Sequence, residues 1–171
     1  RVSPERFGQD VGETCELAQH LIDEGKIDYL DISLWDVFKD PVDPKYQGRS
    51  LMSYFTELDL KGVRLGFAGK INSHADATRC LEQGADFVVI GRAAIAHHDL
   101  PKLFRANPDF SPQKFPVTAD YLRAEGLGES FIAYLATWPE MVTDYFVPPE
   151  IPRFDVEEFF KTGRSVKLAA G

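Results

Sequence analysis

The chain of 171 residues is long enough to bury a sizeable core, and its 44% hydrophobic and 27% charged residues are the ordinary balance of a globular protein. A net charge of −8 and a pI near 5.0 argue against a nucleic-acid partner, which would call for clustered Lys and Arg. No apolar run approaches the roughly 20 residues of a membrane-spanning helix, no signal-peptide pattern opens the chain, and Cys15 and Cys80 lack a CxxC spacing, so a reducing, cytoplasmic setting with two small buried thiols is expected.

Arg1-Val2-Ser3-Pro4 reads as the end of a strand. Residues 13–24 place Cys15, Leu17, Ala18, Leu21 and Ile22 at helical spacing, and Gly25 follows as a terminator. Residues 27–33, IDYLDIS, alternate as a strand does. Residues 34–48 hold Trp35, Phe38, Pro41, Pro44 and Tyr46 without a clean period, which predicts a long loop, functional or mobile. A short helix over 51–58, a strand over 63–67, a helix over 73–83 closed by Gly84, and a strand over 87–90 complete the series. Strands alternating with helices in units of this length mean a parallel sheet covered by helices, either a closed barrel or an open doubly wound sheet.

The stretch 64–92 carries the most chemistry. It reads as strand, glycine turn, helix, strand, glycine turn, and such a crossover is parallel and right-handed, so Gly69 and Gly91, 22 positions apart, emerge at the same end of the sheet. Glycine lets the backbone turn closely there, and free N–H groups with the cationic Arg92 suit an oxyanion such as phosphate. An ordinary crossover with glycines as turn and C-cap has the same spacing. No GxGxxG follows the first strand, and glycines of the phosphate type on the last two strands match the placement of the phosphate site in (β/α)8 barrels, which favours the barrel. Only three complete strands and one strand end are present, about half of such a barrel. The predicted fold is therefore α/β, with residues 1–109 the C-terminal portion of a (β/α)8 TIM barrel and 110–171 a C-terminal extension packed on it, anchored by Phe131, Tyr134, Trp138, Phe146 and Phe159.

Taken together, Arg1-Val2-Ser3, Asp28-Tyr29-Leu30-Asp31-Ile32-Ser33, Ala68-Gly69-Lys70-Ile71, Gly84-Ala85-Asp86 and Val89-Ile90-Gly91-Arg92-Ala93 with Asp99-Leu100-Pro101 resemble the Old Yellow Enzyme family of FMN-dependent NADH:flavin oxidoreductases and ene-reductases. In the tail, Leu122-Arg123-Ala124-Glu125-Gly126-Leu127 and Phe131-Ile132-Ala133-Tyr134 resemble one branch of it. The resemblance runs over essentially the whole chain but covers only the C-terminal half of such an enzyme. It implies FMN as cofactor, NADH or NADPH as reductant and an activated alkene or similar small molecule as substrate. Arg1 would stand beside the N1/O2 edge of the flavin, and Gly69 with Lys70 and Gly91 with Arg92 would hold its phosphate. Trp35 and Phe38, on the loop after the second strand, would either line the substrate pocket or pack against the barrel rim. One departure is His98, where many relatives carry proline.

The same resemblance puts the substrate-binding pair and the tyrosine proton donor in an N-terminal half that this chain lacks, so its catalytic residues are unknown and the fragment alone is expected to be inactive. His20, His74, His97 and His98 have no Cys or acidic partner at metal spacing, so no metal is expected. Two other readings fit the residues: a phosphate-binding barrel synthase or isomerase, and a noncatalytic chain completed by a partner polypeptide. The expected partners are the remainder of the barrel or a second copy, with neither nucleic acid nor membrane involved.

Overall fold

The computed structural model describes residues 10–146. Arg1 and Phe159, both singled out above, lie outside the described residues. Contacts divide the chain into two compact units. One holds the described residues through Gly91 together with Leu103–Phe110; the other holds Arg92–Lys102 and the described residues from Ser111 on.

In the first unit, helix α1 (Val11–Asp23) starts where the Asp10 carboxylate accepts the Glu13 N–H at 3.1 Å, and it ends before Gly25, whose φ of +66° a residue with a side chain resists. Strands β1 (Tyr29–Ser33), β2 (Arg64–Ala68) and β3 (Phe87–Val89) form a parallel sheet in that order. Helix α2 (Leu51–Thr56) lies between β1 and β2 in sequence, and α3 (His74–Glu82) lies between β2 and β3. The register sets Ser33 against Ala68 and Ala68 against Val89. The fold is thus mixed α/β around a small parallel sheet, with seven α-helices among the described residues.

Period-two alternation divides the sheet into unlike faces. One face carries Ile32, Leu65 and Phe67, packed with Leu34, Val37, Leu51, Met52, Phe55, Ile71 and Cys80 into a single core. The Phe55 and Phe67 rings meet edge to face at 6.4 Å, and burying each contributes about 2–3 kcal/mol. On the other face Tyr29 is 63% exposed, and Asp31, Ser33, Arg64 and Val89 are exposed as well. Phe87 lies there across Gly66, where a Cβ would fall on its ring, and it meets the Tyr29 ring at 5.9 Å. Parallel sheets normally bury both faces. Among the described residues, one is covered.

The loop after β1 is tied down. It contains a 3-10 turn (Pro44–Tyr46) capped by Asp43. Leu51 N–H donates to the Lys39 carbonyl at 2.8 Å, the Tyr54 hydroxyl donates to the Tyr46 carbonyl at 2.6 Å, and Lys45 pairs with Asp10 at 3.1 Å.

The second unit is helical, with α4 (Arg92–Ala96), α6 (Ala119–Ala124) and α7 (Glu129–Ala136); α5 (Leu100–Ala106) has its first three residues here and the rest in the first unit. Its core is Val117, Ala119, Leu122, Ile132, Leu135 and Met141. This corrects the expected anchors: Phe131, Tyr134 and Phe146 are exposed, the last at 78%. The helical period of α7 explains why, since Ile132 and Leu135 take its buried face and turn Phe131 and Tyr134 outward, where their rings stack at 6.0 Å. Trp138 packs against this core as a partly buried residue.

Candidate functional site

The carboxyl ends of β1 and β2 are stitched into one rim. Leu34 N–H donates to the Ala68 carbonyl at 2.7 Å and Val37 N–H to the Gly69 carbonyl at 3.2 Å. Gly69 has φ +145°, and a Cβ on it would collide with the Leu34 carbonyl. Glycine is required there by the approach of the β1 loop as well as by backbone conformation. Lys70 follows with φ +53°, in the left-handed region. Its ammonium is 3.4 Å from one carboxylate oxygen of Asp36, whose other oxygen accepts the Phe38 N–H at 3.1 Å. Phe38 is half-buried against the core with the Arg79 guanidinium 4.1 Å from its ring centroid, and Trp35 is half-buried in the same loop.

Free amides are fewer than the sequence suggests. The α3 N-terminus is closed by its own capping box: Asp76 accepts the Asn72 and Ser73 N–H groups, both at 3.0 Å, and the Ser73 hydroxyl accepts the Asp76 N–H at 3.0 Å. The amides of Gly69 and Lys70 are taken by no backbone acceptor among the described residues.

Gly91 lies two residues past the Val89 partner of Ala68, so both glycine turns leave neighbouring strands at the same end of the sheet. Gly91 is exposed, its φ is not positive, and a Cβ there would meet nothing within 4 Å. Arg92 opens α4 in the second unit and is exposed. Sequence reasoning singled out all four of these residues but missed Asp36 and Asp76. The Ser-x-x-Asp spacing of the capping box is readable in the chain; the reach of Asp36 to Lys70 is not, because 34 positions separate them.

In the second unit the Glu125 carboxylate accepts the His98 backbone N–H at 3.0 Å and lies 2.8 Å from its Nδ1. These contacts hold the Glu125 carboxyl below its usual range. The first of them needs an N–H, which a proline at this position would lack. His97 Nε2 accepts the Gln113 N–H at 2.9 Å, and the His74 ring meets Phe104 at 6.0 Å. Cys80 is buried, with its thiol pushed up to about 11 by loss of water, and Cys15 is half-buried and raised for the same reason. Among the described residues no group of His, Cys, Asp and Glu converges as a metal site, and no helix is long and apolar enough to cross a membrane.

A scan against protein-family models finds none that matches the chain, and a search of curated proteins finds no match either.

Proposed function

We propose that the chain is the C-terminal portion of a (β/α)8 barrel in an FMN-dependent oxidoreductase that resembles the Old Yellow Enzyme family, with the two glycine turns as its phosphate grip. The observation that carries this reading is the placement of Gly69 and Gly91 at one end of adjacent parallel strands. The donor set fits a phosphate: the Gly69 and Lys70 amides are unclaimed by backbone acceptors among the described residues, and the space at Gly91 is open. The bare sheet face with exposed Tyr29, Asp31 and Ser33 is what half a barrel presents where its interior awaits the other strands. Exposed Leu17 and Leu21 on α1 fit the same reading, as sites for a neighbouring helix.

In this reading Gly69, Lys70, Gly91 and Arg92 hold the phosphate, Arg1 stands by the flavin ring, and Trp35 and Phe38 line the substrate side. When bound, FMN would supply hydride transfer between NAD(P)H and an activated alkene. The chain's own contribution is to bind and orient: backbone N–H groups and the Arg92 guanidinium fix the phosphate end, and the rim at Leu34–Val37 fixes the turn that carries two of those groups. The substrate-binding and proton-donating groups belong to the complementary half, so this chain alone should turn over no enone.

The test is Gly91→Val in the complete enzyme, titrated as apoprotein with FMN and with riboflavin. A branched side chain in that open space would occupy the position of the anion without disturbing the fold, so FMN affinity should fall by at least about 200-fold, more than one charge-assisted contact supplies, while riboflavin affinity holds. Equal losses for both ligands would remove the phosphate role.

A further inference from the structure

Lys70 would ordinarily be counted as the cation of the 69–70 turn. Its ammonium, however, faces Asp36 at 3.4 Å, and Asp36 is held in place by the Phe38 N–H. The Asp36 side chain is 23% exposed, against 56% for that of Lys70, so the carboxylate is the more fixed member of the pair. Nearby, Asp76 is already spent on the Asn72 and Ser73 amides, and the Arg79 guanidinium lies over the Phe38 ring. Asp76 and Arg79 keep their charges there, one negative and one positive, and the charges on the turn itself are the Lys70 ammonium and the Asp36 carboxylate that faces it.

We propose that Asp36 is the specificity-determining residue of this turn. It cancels the charge of Lys70, so that an anion is held there by the Gly69 and Lys70 N–H groups rather than by net positive charge. This rests on the reading in which the turn takes a phosphate. The physical consequence is selectivity by shape over charge: a neutral turn with two directed amides favours a ligand whose oxygens reach both donors, and it discriminates weakly between singly and doubly charged anions.

The probe is inorganic phosphate, titrated into the full 171-residue chain while amide resonances are followed by 15N–1H NMR. Phosphate should move the Gly69 and Lys70 amides in the unaltered chain. Asp36→Asn, which leaves the turn with a net charge of +1, should bind about fivefold tighter, the weight of one unit charge at about 4 Å in water. Its affinity should also fall more steeply with added salt. Lys70→Met should bind more weakly than the unaltered chain, and the double variant Asp36→Asn/Lys70→Met, neutral again, should return to nearly the original affinity. The double variant matters because it separates charge from damage to the rim. Equal affinity in the unaltered chain and Asp36→Asn, or no recovery in the double variant, would overturn the proposal and leave the anion turn standing. If phosphate moves neither the Gly69 nor the Lys70 amide in any of the four proteins, the phosphate reading of this turn falls and the role of Asp36 falls with it.

Discussion

The two glycine turns follow neighbouring strands and look alike in the chain, yet they are glycine for different reasons. At Gly69 the fold itself demands the residue: φ is +145° and the Leu34 carbonyl occupies the space of a side chain. At Gly91 the described residues demand nothing, since φ is ordinary and the surroundings are open to 4 Å. Structural need is thus present at the first position and absent at the second. A substitution at Gly69 reports on folding, and under the proposed reading one at Gly91 reports on binding.

The largest effect should come from Gly69→Val. A β-branched side chain at that φ adds backbone strain to a collision with a carbonyl that cannot move without breaking the Leu34–Ala68 and Val37–Gly69 hydrogen bonds. The cost should be at least about 3 kcal/mol, read as a drop in the denaturation midpoint of the chain, whereas Gly91→Val should leave that midpoint within about 0.5 kcal/mol. Equal costs would mean that both glycines are structural, and the comparison would collapse.

What was legible beforehand follows the range of the forces involved. Residues 63–67 and 87–90 read as strands because apolar runs bounded by turn residues declare themselves locally, and β2 and β3 fall within one residue of those bounds. The helix over 73–83 was visible through its terminator, and α3 occupies its interior. The character of the 34–48 loop was not legible. Its aperiodic sequence allows a mobile segment, but long-range partners fix it: Asp10 for Lys45, Tyr54 for Tyr46 and Gly69 for Val37. The tail aromatics misled for a related reason. Aromatic residues are usually buried, and only the phase of α7 reveals that Ile132 and Leu135 take the inner face. At the site, the glycines announced themselves by spacing, while Asp36 became visible only when β1 and β2 were set side by side.

A smaller effect separates backbone donors from side-chain charge. In the complete enzyme, Arg92→Ala should remove one charge-assisted contact and cost about 1.5–3 kcal/mol in FMN affinity, with the midpoint of thermal unfolding of the apoprotein unchanged. Calorimetric titration alongside Gly91→Val orders the two. If Arg92→Ala proved the more damaging, the grip would depend chiefly on the guanidinium, and the open space at Gly91 would lose its significance.

The smallest expected effect is at Lys70, where three terms nearly cancel. Replacing it with glycine relieves a left-handed φ that costs a non-glycine residue about 1 kcal/mol. Against this, glycine loses about 0.5–1 kcal/mol more conformational freedom on folding. The Asp36 pair disappears too, but both partners reach solvent, and an ion pair of that kind contributes at most about 1 kcal/mol. Lys70→Gly should therefore shift chemical-denaturation stability by less than about 1 kcal/mol in either direction, far from the loss expected one residue earlier. A loss above about 2 kcal/mol, beyond what an exposed pair supplies, would show that the rim depends on the Lys70–Asp36 contact for its fold. Adjacent residues of one turn would then both be structural, and the second turn, Gly91 with Arg92, would be left as the part of the proposed grip where ligand binding can be varied without touching stability.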